Sequence, residues 1–196
     1  MEETIVAPAT PQGRGGISVI RLSGEGASSV GSSLCGILPG PWSLKPCSIS
    51  DYGGEVVDYG LVVFFAGPRS YTGEDVVEIH CHGNPLIVDS IMSSAVRFGA
   101  RMAEPGEFTK RAFLNDKIDL AQAESVADLI AAKTKSAVMG ASSSLSGKFS
   151  NTIKGCIDRL IKLRVLIEAT LDFPEEEGVG FTPDESKNVK VGLRKE

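Results

Sequence analysis

The sequence predicts an α+β chain: a part mixing strands and helices, followed by long α-helices. Three observations support this. Strand and helix signals alternate over the first ~118 residues. A Gly53-Gly54 pair sits between two strand-like runs and marks a hairpin. From residue ~119 onward the apolar spacing becomes helical and stays so.

Taken in order, "TIVAPAT" and "GISVIRLSG" alternate like strands. "EGASSVGSSLCGIL" reads as a helix weakened by its glycines, which carry low helix propensity. Residues ~47–66 read as the hairpin, and "EDVVEIHCHG" as a further strand. "NPLIVDSIMSSAVRFGA" opens with Asn84 as N-cap and Pro85 at the first helical position, and places Ile87, Ile91, Ser94 and Phe98 on one face. "RMAEPGEF" reads as a short strand ending in a turn, and "RAFLNDKIDLAQAESVADLI" starts like a helix. Asp119 with Gln122 makes a capping-box pattern before Val126, Leu129 and Ile130. In the longer helix expected next, Phe149, Ile153, Cys156, Leu160, Leu163 and Ile167 form a seam that must bury against another helix. Pro174 ends it, and Thr182-Pro183-Asp184-Glu185 begins one more helix that stops without a C-terminal signal. An unfinished helix and an unmatched seam suggest the front piece of something larger; a frayed polar tail is the alternative.

Composition bounds the function. Among 196 residues, 42% are hydrophobic and 23% charged, which is ordinary globular usage. The net charge of −5 disfavours nucleic-acid binding by this chain alone, because a grip on phosphates needs a basic surface. Cys35, Cys47, Cys81 and Cys156 are widely spaced, without a CxxC pair, and fit reduced thiols in a cytoplasmic protein. The acidic N-terminus has no apolar core of signal length, and no apolar run is long enough to span a membrane.

Two glycine motifs are weak. "PQGRGGIS" lacks the third glycine of a dinucleotide fingerprint and leads into a strand. "SGKFS" contains Gly147-Lys148, but Phe149 follows the lysine and Ser142 stands where a P-loop has its first glycine. "EIHCH" is sharper: on a strand, Glu78, His80 and His82 share a face and could hold a metal. They are the only histidines, so no third imidazole is available, and His82 is also placed to bond the following turn. Arg21 shares a strand face with Ile17 and Val19, and a guanidinium among apolar neighbours needs an acceptor. Glu78 is one candidate. The pair is either a structural ion pair or the lining of a ligand cavity, where a carboxylate takes two parallel N–H bonds and cations hold an acidic ligand. Lys117 lies two residues before the Asp119 cap, against the positive end of the helix dipole. It gains nothing from that helix; it is either a solvated turn lysine or part of an anion site with Arg21.

"TIVAPATPQGRGGISVIRLSG", "SYTGEDVVEIHCHGNP", "EPGEFTKRAFLNDKIDLAQAESVADLIAA" and "DFPEEE" together resemble the N-terminal part of the tRNA modification GTPase family MnmE, also called TrmE. The likeness runs in order from about Thr4 to Glu177. It implies that residues 1–118 form a mixed-sheet domain resembling the tetrahydrofolate-binding domain of aminomethyltransferases, which binds folate and mediates homodimerisation. Residues 119–196 would be the first part of a truncated helical domain. In the family a Ras-like GTPase domain, using GTP, magnesium and potassium, is inserted into that helical domain; it is not found here, so this chain should not hydrolyse GTP alone. The family works with the FAD-dependent protein MnmG (GidA) on the carbon-5 position of the tRNA wobble uridine. A tetrahydrofolate derivative such as 5-formyltetrahydrofolate is the implied one-carbon donor. The family's folate-binding positions correspond to Arg21, Glu78 and Lys117. The resemblance assigns Glu78 to the pterin N–H groups, and Arg21 and Lys117 to ligand oxygens. His80 stands where some members have glutamine, a side chain of similar reach. Two other functions compete: a metal-dependent enzyme using Glu78, His80 and His82, and a ligand-free module in which the helices serve as an assembly stalk.

Overall fold

The computed structural model describes residues 3–172. Its elements run β1 (Ile5–Pro8), β2 (Gly15–Ser23), α1 (Ala27–Cys35), β3 (Leu44–Ser50), β4 (Val56–Phe65), β5 (Val76–Gly83), α2 (Pro85–Arg97), β6 (Arg101–Met102), α3 (Glu107–Leu114), α4 (Leu120–Ala131), α5 (Lys135–Leu145) and α6 (Lys148–Asp172). The six strands form one mixed sheet in the order β3-β4-β5-β2-β1-β6. Every pairing is antiparallel except β1 with β6. This is the α+β arrangement expected from the alternation of signals.

Strand periodicity of two decides which face is core. Val6, Ile20, Leu22, Val62, Val77 and Ile79 point to one face and are buried against Val30 and Leu34 of α1 and Ile91 and Ala95 of α2. Each such side chain removed from water stabilises the fold by roughly 1.5–3 kcal/mol. The glycine that weakens α1 as a helix is required by packing: a Cβ at Gly31 would lie 2.9 Å from Val77 Cγ1. At Gly60 a Cβ would run into the backbone carbonyl oxygen of His80, so β4 and β5 approach there as only glycine allows.

The expected caps are present. Asn84 accepts from the Leu86 N–H, with Pro85 opening α2. Ile91 and Ser94 are buried, and Ile87 and Phe98 pack beside the core. The hairpin turn is closed by Asp51, whose backbone N–H donates to Glu55 O at 2.8 Å and whose Oδ1 accepts from the Glu55 N–H at 2.9 Å. Gly54 in this turn has φ +85°, a conformation that favours glycine. Asp119 and Gln122 form the reciprocal capping box of α4.

Three readings change. The helix before the Asp119 cap, α3, begins at Glu107, within the stretch read as strand and turn. This short helix has no side-chain N-cap and is held by ion pairs, of which the Arg101–Glu107 and Arg111–Glu74 pairs reach outside the helix. The helical region also breaks into α5 and α6, with Thr134 accepting from the Ala137 N–H to start α5 and Gly147 at φ +81° between the two. Finally, the α6 seam is not buried among the described residues: Phe149, Ile153, Leu160 and Ile167 are exposed, and Cys156 and Leu163 half-buried. Pro174, the helix expected from Thr182 and the "DFPEEE" run after Asp172 lie outside the described residues.

Candidate functional site

The face of the sheet turned away from α1 and α2 carries the polar residues. Arg21 of β2 and Glu78 of β5 are register partners in the antiparallel ladder, so their side chains meet across the strands. Arg21 Nε donates to Glu78 Oε1 at 2.8 Å, and its Nη2 forms an ion pair with the same oxygen at 2.6 Å. Arg21 is 26% exposed and Glu78 16%, so the pair is neither sealed in the core nor free in solvent. The Arg21 guanidinium also lies over two rings, 5.2 Å from the Tyr71 centroid and 5.7 Å from that of Phe108. Cations on aromatic faces gain electrostatic stabilisation without using hydrogen-bonding capacity.

His80 is two residues further along β5, opposite Val19 on one side and Leu61 on the other. Its Nε2 lies 3.7 Å from Glu78 Oε2, outside hydrogen-bond range. That nitrogen is buried and has no hydrogen-bond partner. His82, by contrast, is committed elsewhere. Its backbone N–H donates to Asp58 Oδ2 and its Nδ1 meets Asp58 Oδ1, both at 2.8 Å. The strand-end role expected for His82 is present, since its carbonyl accepts from the Asn84 N–H of the following turn at 2.8 Å, and the Asp58 carboxylate of β4 adds to it. Burial tends to raise the Asp58 carboxyl, but the His82 N–H, the His82 ring and the Tyr59 N–H outweigh it and hold it below the ordinary aspartate value. With Glu78 Oε1 taken by Arg21 and His82 by Asp58, Glu78, His80 and His82 do not converge as ligands, and no cluster of three metal-ligating side chains is present among the described residues.

Lys117 reaches the same region through the segment between β4 and β5. Its stem packs beside Gly73 and its Nζ donates to the Pro68 carbonyl at 2.8 Å. Tyr71, which covers Arg21, belongs to that segment, and its hydroxyl shares a 2.8 Å bond with Thr109 of α3. Asn115 Nδ2 donates to Thr72 O at 2.8 Å. Arg21 and Glu78 are therefore joined directly, while Lys117 stands on the other side of a shared loop with its ammonium on a loop carbonyl. Lys117 follows α3, its backbone N–H donating to Ala112 O at 2.9 Å, while its ammonium is carried away to the Pro68 carbonyl.

An ion network absent from the sequence reading fixes the loop. Arg111 is only 4% exposed and donates to Glu74 at 3.0 and 3.2 Å, to Glu107 at 3.1 Å and to the Glu3 carbonyl at 2.8 Å. Arg101 clasps both Glu107 oxygens at 2.8 and 2.6 Å. Glu74 Oε2 accepts from Ser23 Oγ at 2.7 Å, which ties the network to β2. The Arg101 hydrogen bonds, against some desolvation and with help from the Glu104 N–H and Arg111, hold the Glu107 carboxyl at about 2. The i,i+4 spacing of Glu107 and Arg111 was the one local signal of this cluster in the sequence.

The two glycine motifs take structural roles. Residues 11–14 lead into β2, and "SGKFS" spans the α5–α6 junction. The four cysteines are free thiols. Burial pushes Cys81 up to about 11 and Cys35 higher, which keeps them protonated.

Comparison with known proteins agrees with this architecture. The family described as "GTP-binding protein TrmE N-terminus" matches residues 4–117, and the "MnmE helical domain" matches residues 120–195. Over 192 residues the chain is 50% identical to the tRNA modification GTPase MnmE of Neisseria meningitidis serogroup B, covering 98% of this chain and 43% of that protein. It is 52% identical over 175 residues to the protein of the same name from Nitrosomonas europaea, covering 89% of this chain and 39% of that one. The chain belongs to the tRNA modification GTPase MnmE (TrmE) family. It spans less than half the length of these relatives.

Proposed function

We propose that this chain binds a tetrahydrofolate one-carbon donor, 5-formyltetrahydrofolate, beside Arg21, Glu78 and Lys117. In this reading it serves carbon-5 (carboxymethyl)aminomethyl modification of the tRNA wobble uridine. The observation that carries it is the Arg21–Glu78 pair: a half-buried ion pair on the open sheet face, edged by Tyr71 and Phe108. Glu78 Oε1 already holds Arg21, and Oε2 has only the His80 nitrogen 3.7 Å away, so Oε2 is the oxygen with acceptor capacity for a ring N–H. The two rings offer flat faces to a heteroaromatic plane. Arg21 can meet an acidic or carbonyl oxygen with the guanidinium N–H groups that Glu78 leaves unused, and Lys117 can do so by releasing the Pro68 carbonyl. When bound, the folate would supply a one-carbon unit at the formyl oxidation level; these side chains orient it.

Residues 1–118 would form the folate-binding and dimerisation domain, and 119–196 the first part of the helical domain. The partners would be a second copy of the chain, the FAD protein MnmG (GidA), and tRNA within the full complex. GTP hydrolysis with magnesium and potassium is assigned to the full-length relatives' GTPase domain, since residues 1–196 carry no P-loop pattern.

Titration calorimetry with 5-formyltetrahydrofolate tests the site. Binding is expected, and Glu78→Ala should weaken it by roughly 2–3 kcal/mol through loss of a charged acceptor. Absence of heat at high micromolar ligand, with the protein folded, counts decisively against the folate reading.

A further inference from the structure

Two unmet groups face one another beside Arg21. Glu78 Oε2 accepts no hydrogen bond, and His80 Nε2, buried, has no partner; 3.7 Å separates them. Both contacts of Arg21, the Nε hydrogen bond and the Nη2 ion pair, fall on the other oxygen, Oε1. A carboxylate held through one oxygen can pivot about it, and a pivoting carboxylate presents no fixed direction to an incoming N–H. The missing second anchor stands on the same strand, two residues along, which in a β-strand is the same face. A shift of under ~1 Å brings the two atoms to ordinary bonding distance. A neighbouring carboxylate favours the ring tautomer with its proton on the facing nitrogen.

We propose that His80 is a positioning residue for Glu78: it keeps its proton on Nε2 and closes onto Oε2 when the site fills, so that Arg21 and His80 hold the carboxylate from both sides. This rests on the folate reading of the site. The charged group beside the His80 ring is Glu78, itself paired with Arg21, while His82 is turned to Asp58.

The test has two arms on the full chain. In the first, ¹⁵N resonances of the histidine rings are recorded in wild-type protein without ligand. The Nε2–H tautomer is expected for His80, and the Nδ1–H tautomer overturns the proposal. In the second, 5-formyltetrahydrofolate is titrated into wild type, His80→Leu, His80→Gln and Glu78→Ala, with the melting temperature of each recorded. Loss of one positioning bond is expected to weaken binding about tenfold in His80→Leu. His80→Gln, whose amide restores a donor of similar reach, should recover to within about threefold of wild type. Recovery by glutamine separates positioning from a merely structural role, which leucine would fill equally well. If wild type binds and Glu78→Ala does not, but His80→Leu binds like wild type, the His80 proposal fails and the folate reading stands. If wild type does not bind at all, both fail. Should His80→Leu not fold, the tautomer and the glutamine variant still decide.

Discussion

Glu107 is the side chain on which the most structure depends. Its carboxylate receives Arg101 at 2.6 and 2.8 Å, Arg111 at 3.1 Å and the Glu104 N–H at 2.8 Å. Replacing it by glutamine leaves two arginines facing a neutral amide, one of them the buried Arg111. The magnitude follows from the carboxyl being held at about 2 against an ordinary 4.5. At roughly 1.4 kcal/mol per pH unit of displacement, the charged form contributes about 3 kcal/mol to the folded state at neutral pH. Breaking a buried pair commonly costs a similar amount, about 3–5 kcal/mol. The sign is that of a depressed acid: the contribution is complete above the ordinary value and is lost as pH falls toward 2. Urea unfolding of wild type and Glu107→Gln should therefore differ by about 3 kcal/mol at pH 7, narrowing to about 2 kcal/mol near pH 3.5. A deficit below ~1 kcal/mol at neutral pH, the figure for an exposed pair, refutes the reasoning. So does a deficit that stays constant as the acid is titrated.

Asp58→Ala should destabilise by roughly 1–3 kcal/mol in the same assay, since the N–H groups of His82 and Tyr59 lose their acceptor. Because the Asp58 carboxyl is held below its ordinary value, that deficit too should shrink as pH falls through the acid range. Gly31→Ala gains helix propensity of up to about 1 kcal/mol but drives a methyl against Val77, and overpacking of about 1–3 kcal/mol should prevail. A lowered melting temperature is expected, and a raised one would show that α1 can retreat from β5 without loss.

The parts of the fold that were legible are those in which a local signal names its own partner. Asn84-Pro85 opens α2 because cap and first helical residue are adjacent in sequence. Asp119 and Gln122 satisfy each other's backbone within one turn. Arg21 and Glu78 could be paired because a guanidinium beside Ile17 and Val19 needs an acceptor, and the ladder then sets the two side by side. What was not legible depends on distant chain. The α3 helix has no side-chain cap and rests on Arg111, whose acceptors Glu74 and Glu3 lie 37 and 108 residues away. Asp58 gave no local warning of holding His82, because its carboxylate bonds where the β4–β5 ladder has already ended. The α6 seam shows the converse: its spacing predicted the stripe correctly, but spacing alone does not supply a cover.

The glycine at position 60 has a consequence of its own. The rail beside it is main chain, and main chain is the same whatever the residue, so the obstacle at that point cannot be removed by altering any neighbour's side chain. Sliding β4 by one step along β5 would carry Tyr59 or Leu61 into the spot and jam there. In a library carrying every amino acid at every position, this residue should tolerate almost nothing. A single hydrogen in place of a methyl works as a latch that fixes how two strands align, and with it the row of side chains that Arg21 faces.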